Sequence, residues 1–98
     1  MKFSTIESAV EDIRNGKQII VVDSKDRENE GDLVISSSDT NAKNINFMAK
    51  YGRGLICLAL DGPQAKKLNL SLMSPINQSR NKTAFTISIE AKKGVTTG

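Results

Sequence analysis

Four consecutive β-branched residues, Ile19-Ile20-Val21-Val22, run straight into "DSKDRENEGDL", residues 23–33. A run of this kind, apolar at every position rather than at every second one, reads as a strand covered on both faces. The chain must therefore place a buried strand beside a highly charged bend. Residues 23–33 hold five acids (Asp23, Asp26, Glu28, Glu30, Asp32) and two bases, a local net charge of −3 in a chain whose total is +3.

The rest of the chain constrains the fold by punctuation. Ser4 and Glu7 fit a capping box, Ile6, Ala9, Val10 and Ile13 recur at helical spacing, and Gly16 is a stop, which predicts a helix over 5–15. "KQIIVVD" and "DLVISS" read as strands on either side of the acidic bend. A second helix opens with capping residues around Asp39 and Thr40, carries the stripe Ile45, Met48, Ala49, and stops at Gly52. "GLICLALDG" reads as another buried strand, and Pro63 opens a short helix in "PQAKKLNL". "SLMSPINQSRNK" reads as loop, the alternating "TAFTISIE" as a strand, and "AKKGVTTG" as a turn. The order α-β-β-α-β-α-β favours an α+β domain, a layered mixed sheet with flanking helices. The closing "GVTTG" reads as the entry to a further element, so the expectation is an incomplete domain.

Composition removes several functional classes. The longest apolar runs fall far short of the roughly 20 residues a membrane span needs, and "MKFSTIESAVEDI" turns acidic too early for a secretory signal, so the expected location is cytoplasmic, with no membrane partner. A single cysteine, Cys57, and no histidine leave no zinc site of the Cys/His kind within the chain. A metal held here binds oxygen. The pI near 9.2 invites a nucleic-acid reading, but the positive charge is thinly spread and aromatic residues are 4% of the chain, so no nucleic-acid partner is expected.

The acidic bend carries the chemistry. Glu28, Glu30 and Asp32 stand at i, i+2 and i+4, which puts three carboxylates on one side if the segment is extended. Like charges so placed call for a cation, and a hard divalent ion takes one or two carboxylates plus water and substrate oxygens. Arg27 beside them offers a fork for phosphate or carboxylate, and Gly31 permits a bend. Spacing alone leaves a solvated acidic turn as the other reading.

The string "DRENEGDL" after an apolar strand closely resembles the signature of the 3,4-dihydroxy-2-butanone 4-phosphate synthase family of riboflavin biosynthesis. "INFMAKYGRGLICLAL" and "TAFTISIEAKKGVTTG" resemble further segments of that family, so the likeness spans nearly the whole chain, residues 1–98, as the N-terminal portion of one synthase domain. The resemblance implies a lyase that converts ribulose 5-phosphate to 3,4-dihydroxy-2-butanone 4-phosphate and formate through an enediol and a skeletal rearrangement, with Mg²⁺ or Mn²⁺. By motif position it implies Glu28 as the metal ligand, also near substrate. Arg27 and Asp32 would contact the sugar phosphate, Glu30 would hold substrate hydroxyls or assist proton transfer, and Cys57 would assist proton transfer. It further implies substrate contacts at Thr83 and Thr97, a homodimer, and a fold like that of the family. A family domain also continues past "TTG", with a metal-ligating histidine and another glutamate, so these 98 residues alone are expected to be inactive. The alternative is a catalytically dead interaction module on the same scaffold.

Overall fold

A computed structural model describes residues 2–76 and 83–96. The chain divides into two compact units, residues 1–58 and 59–98.

In the first unit, helix α1 spans Ile6–Arg14. Its N-cap is Thr5, whose hydroxyl accepts from the Ser8 amide at 3.2 Å; the expected cap, Ser4, lies one residue outside. The capping requirement is an acceptor two or three residues before an orphan amide, and Thr5 meets it as well as a serine would. The C-terminus follows the expectation closely. Gly16 takes φ +72°, its amide donates to the Ile13 carbonyl at 3.1 Å, and the Lys17 amide donates to Asp12 at 2.9 Å. That pair of bonds closes the helix in a Schellman motif, and the left-handed position in it favours glycine.

Strands β1 (Ile19–Val22) and β2 (Gly31–Val34) form an antiparallel pair in the register Ile19–Val34, Ile20–Leu33, Val21–Asp32 and Val22–Gly31. Helix α1 lies alongside β1. The expected burial of β1 on both faces does not hold, because Ile20 is 68% exposed and Val21 and Val22 are exposed beside it. Among the described residues only β2 pairs with β1, and none is fully buried.

A 3₁₀ turn at Ser37–Asp39 precedes α2, Ala42–Phe47. Asn41, rather than Asp39 or Thr40, caps α2, its side-chain oxygen accepting from the Asn44 amide at 2.9 Å. The helix continues as a π-helical turn over Met48–Gly52. Its left-handed terminal residue is Arg53 (φ 57°), not the glycine expected to stop it. Gly52 serves another purpose: a Cβ there would stand 3.2 Å from Leu33 Cδ1, so the missing side chain lets the turn approach β2.

In the second unit, α3 spans Gly62–Lys67. Asp61 caps it through the Gln64 amide at 2.9 Å, and Pro63 sits in its first turn. Asn69 (φ 55°) takes the left-handed position at the far end, with Leu70 donating to Ala65 at 2.9 Å, a second Schellman closure. Two expected strands are not formed among the described residues. "GLICLALDG" has no ladder, and "TAFTISIE" contributes one antiparallel bridge, Thr86 to Leu72, flanked by bonds from Met73 to Phe85 and from Ile87 to Ser71. Leu72 belongs to the stretch read as loop. A strand exists only as half of a ladder, and among the described residues neither segment finds a full one. The observed α+β content therefore rests on one two-stranded sheet among the described residues, not on a layered one.

Candidate functional site

The bend joining β1 to β2 is ordered by one side chain. Asp23 follows the last residue of β1, and its carboxylate accepts three hydrogen bonds. Oδ1 takes the Glu30 amide at 2.9 Å, while Oδ2 takes the Glu28 amide at 2.9 Å and Arg27 Nη1 at 3.0 Å. Backbone bonds close the rest: Asp23 donates to the Glu30 carbonyl at 3.3 Å, and the amides of Arg27 and Asn29 donate to Ser24 at 3.1 and 3.2 Å. The Glu30 amide foremost, joined by the Glu28 amide and Arg27, holds the Asp23 carboxyl below its ordinary value, outweighing desolvation, which acts the other way.

Arg27 and Glu28 present the chemistry that the bend offers to solvent. Arg27 Nη1 bridges Asp23 and, at 2.6 Å, Glu28 Oε1. One guanidinium nitrogen thus sits between two carboxylates and offsets their repulsion. The Arg27 side chain is 63% exposed, against 33% for Glu28 and 22% for Asp23, so the arginine is outermost and Asp23 innermost.

The extended arrangement that would align Glu28, Glu30 and Asp32 is interrupted at Asn29, whose φ is 54°. Asparagine tolerates this left-handed geometry better than most residues. The alternation that would put the three carboxylates on one side holds only from Gly31 onward, inside β2. Asp32 stands opposite Val21 in the ladder. Among the described residues no group of three or more His, Cys, Asp or Glu side chains comes close enough to hold a metal ion. The donor set fits a hard ion that takes one carboxylate and fills its other positions with water and substrate oxygens. It does not fit a cage of protein ligands.

Cys57 is exposed, in the segment after Arg53 that forms no strand among the described residues. Thr83 belongs to the second unit, where its carbonyl accepts from the Phe85 amide at 2.9 Å. Thr97 lies outside the described residues. Arg53, flanked by two glycines, donates through Nε to the Lys50 carbonyl at 3.3 Å. Asp23 itself was visible only as one acid among five. Its place between a strand and a turn is where an aspartate caps backbone amides, and that was the available signal.

No helix among the described residues is long and apolar enough to cross a membrane. Comparison with known proteins is specific. The sequence model of 3,4-dihydroxy-2-butanone 4-phosphate synthase matches residues 7–98. The chain is 54% identical over 99 aligned positions to the riboflavin biosynthesis protein RibBA of Aquifex aeolicus, covering 99% of this chain and 24% of that protein. It is 52% identical to the 3,4-dihydroxy-2-butanone 4-phosphate synthase of Photobacterium phosphoreum, covering 100% of this chain and 27% of that one. The crystal structure of RibBX, a two-domain 3,4-dihydroxy-2-butanone 4-phosphate synthase from A. baumannii, superposes with a TM-score of 0.81 at 50% identity, over 97% of this chain and 28% of that chain. The chain thus spans about a quarter of the length of the relatives it matches.

Proposed function

The chain belongs to the 3,4-dihydroxy-2-butanone 4-phosphate synthase family, and from that premise we propose that the full-length protein carrying it converts ribulose 5-phosphate to 3,4-dihydroxy-2-butanone 4-phosphate and formate. The observation that carries the reading is the bend of residues 23–32, where an exposed arginine and an adjacent carboxylate are held together by Asp23.

In this reading Glu28 holds Mg²⁺ or Mn²⁺. Bound there, it would supply Lewis-acid polarisation of the substrate, which would favour loss of a carbon-bound proton. Arg27, outermost and always charged, binds the sugar phosphate through its fork. Asp32, fixed in β2, and the threonines Thr83 and Thr97 hold substrate hydroxyls and phosphate oxygens. Glu30 and Cys57 move protons: a base removes one to give the enediol, and an acid returns one after the carbon skeleton has rearranged. The two products together account for every atom of the ketose phosphate, so no external oxidant is needed.

The same proposal covers assembly, architecture and location. Ile20, Leu55 and Leu58 are exposed apolar residues of the kind that interfaces cover, which supports a homodimer. The composition of residues 54–61 and 83–90 supports their becoming strands of a layered mixed sheet once partners pair with them. The expected location is the cytoplasm, with neither nucleic acid nor membrane as partner.

The test is formate release from ribulose 5-phosphate by the full-length gene product with Mg²⁺, beside Glu28→Ala. The parent is expected to release formate. The variant is expected to lose more than the roughly 100-fold that removing an outer-layer partner of a metal ligand costs. Equal turnover in the two would take Glu28 out of the metal site.

A further inference from the structure

We infer that Asp23 is a positioning residue of this site: its carboxylate fixes the Arg27 guanidinium and the backbone at Glu28 and Glu30 in one arrangement without itself meeting the substrate. The inference rests on the function proposed above and goes beyond it by giving a role to a residue that the acidic pattern does not single out.

Three features of the geometry carry it. The donors come from four, five and seven residues further along the chain, so a single side chain ties the start of the bend to its middle and to its end. Backbone bonds alone leave the bend underdetermined. The Asp23–Glu30 pair closes its mouth and Ser24 collects two amides, but neither fixes the amide of Glu28 or the direction of the Arg27 side chain. The third feature is exposure. Asp23 is the least exposed of the three charged groups, which places its oxygens behind Arg27 and Glu28 as seen from solvent. A carboxylate with three donors on two oxygens has little acceptor capacity left for a ligand.

Both oxygens are in use, and this makes the site intolerant of its closest isostere. Asparagine keeps the shape but replaces one acceptor by an NH₂ donor. In one orientation that donor faces the Glu30 amide. In the other it faces the Glu28 amide and Arg27. Glutamate keeps both acceptors but sets them one methylene further out, past donors now at 2.9 to 3.0 Å.

The test uses the full-length gene product and three readouts. Steady-state formate release gives kcat and KM, the free Mn²⁺ signal in electron paramagnetic resonance gives metal affinity without turnover, and amide hydrogen exchange reads the bend directly. For Asp23→Asn, kcat/KM is expected to fall about 10- to 100-fold and the Mn²⁺ Kd to rise about 10-fold, with little change in melting temperature. In the parent, the Glu28 and Glu30 amides are expected to exchange more slowly than those of Lys25 and Asp26, a measurement that needs no variant to fold. Kinetics and Mn²⁺ affinity within twofold of the parent in Asp23→Asn would overturn the inference while leaving the functional reading intact. Rapid exchange of both amides in the parent would overturn it as well. A parent that releases no formate would overturn the functional reading, and the inference with it.

Discussion

Replacing Arg27 by lysine separates what the arginine does for the bend from what it does for substrate. In the structure Nη1 reaches Asp23 at 3.0 Å and Glu28 at 2.6 Å, with the side chain 63% exposed. Exposed pairs of this kind contribute about 0.2–1 kcal/mol. Lysine keeps the charge, so Arg27→Lys should cost less than about 1 kcal/mol of stability. Substrate binding is affected differently. A charge-assisted hydrogen bond to phosphate is worth about 1.5–3 kcal/mol, and an ammonium cannot present the planar fork that binds two oxygens at once. Loss of one such bond corresponds to about 10- to 100-fold in kcat/KM, at 1.4 kcal/mol per decade. The assay is formate release against ribulose 5-phosphate concentration, paired with chemical denaturation of the same preparations. A kcat/KM within twofold of the parent would refute the assignment of Arg27 to the phosphate. A kinetic loss matched by an equal loss of stability would show that Arg27 acts only by holding the bend.

Two further outcomes are expected. Gly16→Ala should destabilise by about 1 kcal/mol, because the left-handed φ of +72° strains an L-residue. The new Cβ meets Asp39 only at ordinary contact, 3.5 Å, so Gly16→Asn should recover part of the loss in a denaturation experiment. In the metal-free protein, the Asp23 carboxyl followed by ¹³C nuclear magnetic resonance should titrate below its ordinary value of 3.8. A depressed folded pKa means that the stabilisation is present above about pH 3.8 and is lost as pH falls through the folded value. A midpoint at or above 3.8 would contradict the hydrogen bonds assigned to that carboxylate.

Helices were more legible than strands, for a physical reason. A helix end is decided by residues within one turn of it. Gly16 and Pro63 marked ends that the structure reproduces, and the errors at Thr5 and Asn41 are shifts of one or two residues among interchangeable capping side chains. A strand depends on a partner that its own residues do not specify. Leu55–Leu60 and Phe85–Ile89 have strand composition, but among the described residues the first finds no ladder and the second a single bridge. The site divides the same way. "DRENEGDL" located the bend because its charges are contiguous. The break in alternation at Asn29 and the convergence of three donors on Asp23 depend on backbone geometry, which charge spacing does not encode.

The most direct test of the central claim is the anomalous scattering of Mn²⁺ in crystals of the full-length protein soaked with ribulose 5-phosphate. The expected result is a peak within direct coordination distance of a Glu28 carboxylate oxygen, with Arg27 turned toward the sugar phosphate. A peak bound elsewhere, with Glu28 still paired only to Arg27, would contradict the account.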